Sequence, residues 1–143
     1  MSDWWQWSPI KANQKLGFAV VGIGRFGSAV CRELLRNGAD VLAVDFSEKA
    51  IEELRQLEPT IEARVVDSTD EESMKEAGVL EMGTVVVGIS EPIEASITTT
   101  LIAKDTDGSL VKQVIARATS DLHEKMLKRV GADRVVFPSR MQG

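Results

Sequence analysis

The sequence predicts an α/β fold of the doubly wound, Rossmann-like kind: a six-stranded parallel sheet in the order 3-2-1-4-5-6 with helices between the strands. Three observations predict it. Apolar runs of strand length alternate with segments of helical period from Phe18 to Phe137. The first run breaks into Gly22-x-Gly24-x-x-Gly27 and passes at once into a helical pattern at Phe26, Val30 and Leu34. The second run ends in an acid, Asp45, 18 residues after Gly27. A glycine turn alone is weak evidence, because such turns are common. Strand, glycine turn, helix, strand and acid inside one unit form a dinucleotide-binding βαβ signature.

The elements follow in order. Phe18 to Ile23 reads as a buried strand. Gly22 permits the tight turn, Gly24 leaves the backbone open to a diphosphate, and Gly27 lets the helix lie close to the strand. The helix N-terminus brings unpaired N–H groups and a positive dipole end to the phosphates. Gly38 stops that helix, and the second strand runs from Val41 to Phe46. Ser47 caps a helix with Ala50, Ile51, Leu54 and Leu57 on one face, ended by Pro59. The third strand is Ala63 to Val66. Thr69 with Glu72 predicts a capping box for a short helix that stops at Gly78.

The run from Thr84 to Ile89 is continuously apolar, as in a strand buried on both faces. Pro92 suits the first turn of the next helix, where Ile93, Ile97 and Leu101 predict one buried stripe and Thr100 packs as a small residue. Gly108 marks the turn into a fifth strand, Val111 to Arg117. Ser120 opens a helix carrying Leu122, Met126, Leu127 and Val130, stopped at Gly131. A short last strand, Arg134 to Phe137, ends at Pro138.

Length and composition narrow the function. A chain of 143 residues suffices for one domain with a sizeable core. A net charge of −5 without a basic stripe argues against nucleic acid as a partner. The single cysteine, Cys31, can build neither a disulfide framework nor a zinc site and reads as a packing residue in a reducing compartment. There is no apolar run approaching the roughly 20 residues of a membrane span, and no signal-peptide pattern, so a cytoplasmic location is expected. Residues 1–15 hold Trp4, Trp5, Trp7 and Pro9 and read as a flexible Trp-rich leader: either a disordered segment or an arm for a partner or membrane interface.

In such a fold a ligand lies over the C-terminal strand ends, at the switch between strands one and four. There the first strand offers Gly22, Ile23, Gly24, Arg25, Phe26 and Gly27, with Arg25 able to pair with phosphate oxygens. Asp45 can accept from both ribose hydroxyls and disfavours a 2′-phosphate, with Phe46 or Ser47 at the ribose edge. Asp67, Ser68 and Thr69 stand at the adenine side, Ser90 near the phosphates, and Arg117 supplies a second cation. Asp67 and Thr69 can alternatively serve only to cap a helix, and the two roles are compatible.

The absences point away from catalysis. With no tyrosine and one histidine, His123, expected at an exposed position in the fifth helix, the chain lacks an acid–base pair for hydride chemistry. No second domain to hold a substrate is expected, so the nucleotide reads as a signal rather than a reagent. A small NAD-dependent oxidoreductase is the alternative. A redox-sensing repressor would need a DNA-binding segment that this acidic chain does not offer.

Several stretches together carry a family resemblance: Val21-Gly22-Ile23-Gly24-Arg25-Phe26-Gly27, Leu42-Ala43-Val44-Asp45, Asp67-Ser68-Thr69, Ile93-Glu94-Ala95-Ser96 and Val130-Gly131-Ala132-Asp133-Arg134-Val135. From Phe18 onward the chain resembles the RCK (KTN, TrkA-N) domain, the cytoplasmic gating domain of bacterial potassium transporters and channels, and most of all the regulatory subunits of Ktr systems. The resemblance implies binding of ATP, ADP, NAD or NADH. The phosphate loop would be Gly22, Gly24 and Gly27, with Arg25 on the phosphates of its own or a neighbouring subunit. Asp45 would take the ribose, Asp67 and Ser68 the adenine side, and Arg117 a basic position near the phosphates. Ser68 departs from the family's frequent Asp-Ala-Thr. The resemblance also implies a homodimer assembling to an octameric ring beneath a membrane-embedded potassium-translocating subunit. Family members continue into a crossover helix and a smaller C-terminal domain. This sequence stops at Gly143, so residues 16–143 are expected to be the N-terminal, nucleotide-binding domain with the C-terminal RCK domain absent.

Overall fold

The computed structural model describes residues 17–140. The Trp-rich leader predicted for residues 1–15 lies outside the described residues. Six strands, β1 (Phe18–Val21), β2 (Val41–Asp45), β3 (Glu62–Val65), β4 (Thr84–Val87), β5 (Gln113–Arg117) and β6 (Arg134–Val136), form one sheet in the order β3-β2-β1-β4-β5-β6. All neighbouring pairs are parallel. Five helices connect them: α1 (Arg25–Arg36), α2 (Glu48–Leu57), α3 (Glu71–Ala77), α4 (Ile93–Asp105) and α5 (Asp121–Arg129). The predicted topology is the observed one. Val21 is in register with Val44 on one side and Val87 on the other, so three strands end level and open one crevice between them.

Strand alternation explains the two cores. Phe18 and Val20 pack with Cys31, Leu34, Ile51 and Leu54 of α1 and α2. Ala19 and Val21 face the other way, with Met74, Val85, Val87 and Leu127 on the α3, α4 and α5 side. Every residue of β1 and β4 is buried, as their unbroken apolar runs require. Cys31 is buried, and burial pushes its thiol up to about 12, so it packs and does not react.

Three local expectations are corrected. The cap of α3 is Asp70, not Thr69: the Asp70 carboxylate accepts from the Ser73 N–H at 3.0 Å, while the Thr69 hydroxyl donates to Asp67 at 2.6 Å. An ionised carboxylate one residue later is the better acceptor for the orphan N–H groups of the first turn. The helix still ends at Gly78, whose φ of +87° is the left-handed stop glycine permits.

The second correction is the face of α4. Ser96, Thr99, Thr100 and Ala103 are its buried residues. Ile93 and Ile97 are half-buried and Leu101 is exposed. The helix is wedged among the sheet, the α3 segment and α5, and small residues allow that close approach. The hydroxyls of Ser96, Thr99 and Thr100 are satisfied within the helix or across it: that of Thr100 donates to the Ser96 carbonyl at 2.9 Å.

The third correction is His123, fully buried rather than exposed, with Leu122 turned outward in its place. A polar ring takes the inward position because it finds partners on both of its nitrogens, described below.

A candidate nucleotide crevice at the glycine turn

The crevice is a cavity of about 510 Å³ over the ends of β1, β2 and β4. Its floor is the glycine turn. Gly22 has φ +95°, and a Cβ there would stand 2.9 Å from the Ile89 nitrogen. A Cβ on Gly27 would run into the Gly22 carbonyl oxygen. A Cβ built on Gly24 meets nothing within 4 Å, so a side chain there would stand in open space. Gly24 is the N-cap of α1, and no side chain caps this end of the helix.

Asp45 stands at the end of β2 beside this turn. Its Oδ2 accepts from the Ile23 N–H at 2.6 Å, and its Oδ1 accepts from the Ser47 N–H at 2.7 Å. An ionised carboxylate has about four acceptor sites. The Ile23 and Ser47 N–H groups take two of them.

Of the residues singled out in the sequence, Gly22, Ile23, Gly24, Asp45, Phe46, Asp67, Ser68, Thr69 and Ser90 line the cavity. Phe46 stands at its lip, 77% exposed. The carboxylate of Asp67 accepts from the Thr69 N–H at 3.0 Å and from its hydroxyl, so Asp67 shapes its own loop as well as facing the cavity. Ser68 is buried. The Thr99 hydroxyl donates to the Ser68 carbonyl at 3.2 Å, which leaves the Ser68 hydroxyl to donate to Thr99 Oγ1 at 2.7 Å. Ser68 thus anchors the loop to α4.

Arg25, Phe26, Gly27 and Arg117 are not brought into the lining. Gly27 lies beneath the turn. Arg25 is exposed and borders a neighbouring hollow with Ser28, Glu53 and Gln56. Arg117 lies over the Phe26 ring, 5.4 Å from its centroid. Its Nε is buried without a partner among the described residues, and burial lowers the guanidinium below its ordinary value. No lysine or arginine lines the cavity among the described residues, whereas Asp45, Asp67 and Glu91 do. The positive end of α1 is therefore the crevice's own attraction for an anion.

Gly88, Pro92 and Ala95 also line the cavity and were not anticipated. Gly88 had a readable signal, a glycine closing an apolar run. A Cβ there would stand 2.9 Å from the Gly22 carbonyl oxygen. Pro92 and Ala95 had none, because their place depends on how α4 leans on the sheet. No group of three potential metal ligands occurs among the described residues.

Residues 18–138 match the TrkA-N domain. The chain belongs to this family. It is 40% identical over 126 residues to the Ktr system potassium uptake protein C of Bacillus subtilis, covering 88% of this chain and 55% of that one. The chain thus spans about half the length of this relative. Among solved structures, the TrkA-N domain of the inner membrane protein YbaL of Escherichia coli superposes with a TM-score of 0.76, at 24% identity over 89% of this chain and 90% of that one. The GsuK channel bound to NAD superposes with a TM-score of 0.73, at 18% identity over 87% of this chain and 22% of that one. These two likenesses speak to the fold, which is that of the TrkA-N domain.

Proposed function

We propose that this TrkA-N domain is the nucleotide-binding, regulatory part of a potassium transport protein, and that an adenine nucleotide (ATP, ADP or NAD(H)) occupies the crevice. The observation that carries this is the meeting of Asp45 with the glycine turn at the level ends of β1 and β4, in a chain of the TrkA-N family. The phosphates lie against the N–H groups of α1, the ribose against the carboxylate of Asp45, and the base between Phe46 and the Asp67–Ser68 loop. Arg25 and Arg117 stand outside the crevice and reach a longer phosphate chain, or one held by a neighbouring copy. The nearest supports for the choice of ligand are the NAD named with the GsuK channel and the open cavity.

The role is binding and regulation, not catalysis. A nucleotide shifts a conformational equilibrium only by its differential affinity for the two states. A triphosphate and a diphosphate differ in the contacts they make beyond the α1 N-terminus, and that difference is the switch. The partner is a membrane-embedded potassium-translocating subunit, with this domain on the cytoplasmic side at the inner face of the plasma membrane. Among the described residues no helix is long and apolar enough to cross a membrane. Self-association, as a homodimer building an octameric ring, has apolar surface to work with: Leu101 and Leu122 are exposed on the outer sides of α4 and α5.

The test is calorimetric titration with ATP, ADP and NAD, repeated on the assembled full-length protein. Saturable binding lost in Asp45→Ala supports the reading. Equal affinity for ATP and ADP in every assembled state removes the switch, and no binding of any of them removes the site.

A further inference from the structure

His123 is fully buried, yet it does not line the crevice. Its two nitrogens fix its protonation. The Thr119 N–H donates to Nδ1 at 3.1 Å, so Nδ1 carries no proton. Ser96 Oγ lies 2.7 Å from Nε2 and donates its own proton to the Ile93 carbonyl at 2.8 Å. Only a neutral ring protonated at Nε2 satisfies both ends. The chain of donors runs from Thr119, before α5, through His123 and Ser96, to the carbonyl at the first residue of α4. That first turn is the crevice wall: Pro92 and Ala95 line the cavity on either side of Ile93. One turn on, Thr99 holds the Ser68 loop, which lines the cavity opposite.

We propose that His123 is a positioning residue for the crevice: its neutral imidazole, through Ser96, holds the α4 wall where a nucleotide needs it, so protonation of His123 and occupancy of the crevice oppose each other. This rests on the crevice being a nucleotide site. A proton added to Nδ1 would face the Thr119 N–H at 3.1 Å, donor against donor, and could be accepted by the more distant Thr119 hydroxyl at 3.3 Å only by turning away from that N–H. The ring or the Thr119 segment must then move, and the Ser96 contact goes with it.

Among the surrounding charges, that of Arg117 acts in the same sense. On β5, Arg117 opposes a positive ring, and burial and that charge together lower its titration. On α4 the ionisable side chains are Glu94, Lys104 and Asp105, of which Lys104 is paired with Asp133 at 3.0 Å. On β6 there is Arg134, which has contacts of its own. On α5 itself, Glu124 is paired with Lys128 at 3.2 Å, and Asp121 and Lys125 are exposed. Thr119, Ser96 and Thr100 bring hydroxyls and no charge.

The chain has one histidine, so its ring resonances can be followed without ambiguity. The experiment is an NMR pH titration of that ring in the protein alone and saturated with NAD, whose bridging diphosphate does not change charge in the histidine range. With NAD the midpoint is expected to fall by about one pH unit, which corresponds to about tenfold weaker NAD binding at the acid end of the range. A complex that forms with the midpoint unmoved overturns the proposal and leaves the nucleotide reading standing. Failure of NAD, ADP and ATP to bind at any pH overturns that reading and this one with it. Ser96→Ala supplies the second arm. It is expected to weaken NAD binding at about pH 8 and to flatten its pH dependence; a Ser96→Ala protein with the wild-type pH dependence also overturns the proposal.

Discussion

The backbone N–H of Ile23 donates a 2.6 Å hydrogen bond to Oδ2 of Asp45, so the acid that closes β2 also fastens the glycine turn that closes β1. Its other oxygen holds the Ser47 N–H, at the cap of α2. One carboxylate thus braces two loops of the crevice before any ligand arrives.

Asp45→Ala removes both bonds and leaves two N–H groups without their acceptor. Hydrogen bonds to a charged group contribute about 1.5–3 kcal/mol each, less where water can replace the acceptor. We expect a loss of about 1–3 kcal/mol in urea unfolding together with loss of nucleotide binding. Asp45→Asn can keep one acceptor and should fall between. An Asp45→Ala protein of full stability would show that the bracing is idle.

The glycines separate folding from binding. Gly27→Ala forces a Cβ into the Gly22 carbonyl, and overpacking of this kind costs about 1–3 kcal/mol. Gly24→Ala meets no protein atom and should stay within about 0.5 kcal/mol of the parent, while nucleotide affinity is expected to drop if the phosphates lie at this turn as proposed. Unfolding curves and calorimetry on the same two variants decide it; equal destabilisation by both would contradict the geometry.

Acidification should destabilise the domain through His123. Burial, then the charge of Arg117, lowers its folded value below its unfolded value of about 6.5. The unfolded chain therefore takes up the proton first. Stability is complete above about pH 6.5 and declines as pH falls through that value towards the folded one. Replacing the ring by glutamine, His123→Gln, should remove this part of the slope in urea midpoints measured from about pH 8 to pH 5. An identical slope in the variant would assign the decline to carboxylates.

The face of α4 gives an opposite pair. Thr99→Val leaves the Ser68 hydroxyl and carbonyl without their partner and is expected to cost about 1–3 kcal/mol. Leu101→Ser, on the exposed side, should change stability by no more than about 0.5 kcal/mol and should reduce self-association, measured by sedimentation. The reverse ranking would restore the apolar stripe to the interior.

How far the sequence reached is visible in α4 and α5. Its pattern of Ile93, Ile97 and Leu101 is a sound helix signal, and the helix is there. Which side faces inward is not a property of the helix alone. Where several elements crowd one position, close approach favours Ser96, Thr99 and Thr100, and hydroxyls are tolerated because each finds an acceptor. His123 is the same lesson: an isolated polar residue on a helix reads as exposed until Ser96 and Thr119 are seen to meet it.

By itself the sequence determined the sheet order, the glycine turn and the acid beside it, because these are set by contiguous runs, by backbone angles only glycine adopts, and by spacing within one βαβ unit. Tertiary structure decided which residues reach the crevice. It drew in Gly88, Pro92 and Ala95, left Arg25 and Arg117 outside the lining, and turned the polar side of α4 inward. Those outcomes depend on how segments remote in the chain lean on one another, and packing of that kind is fixed by shape and hydrogen-bond satisfaction across elements, which no local pattern encodes.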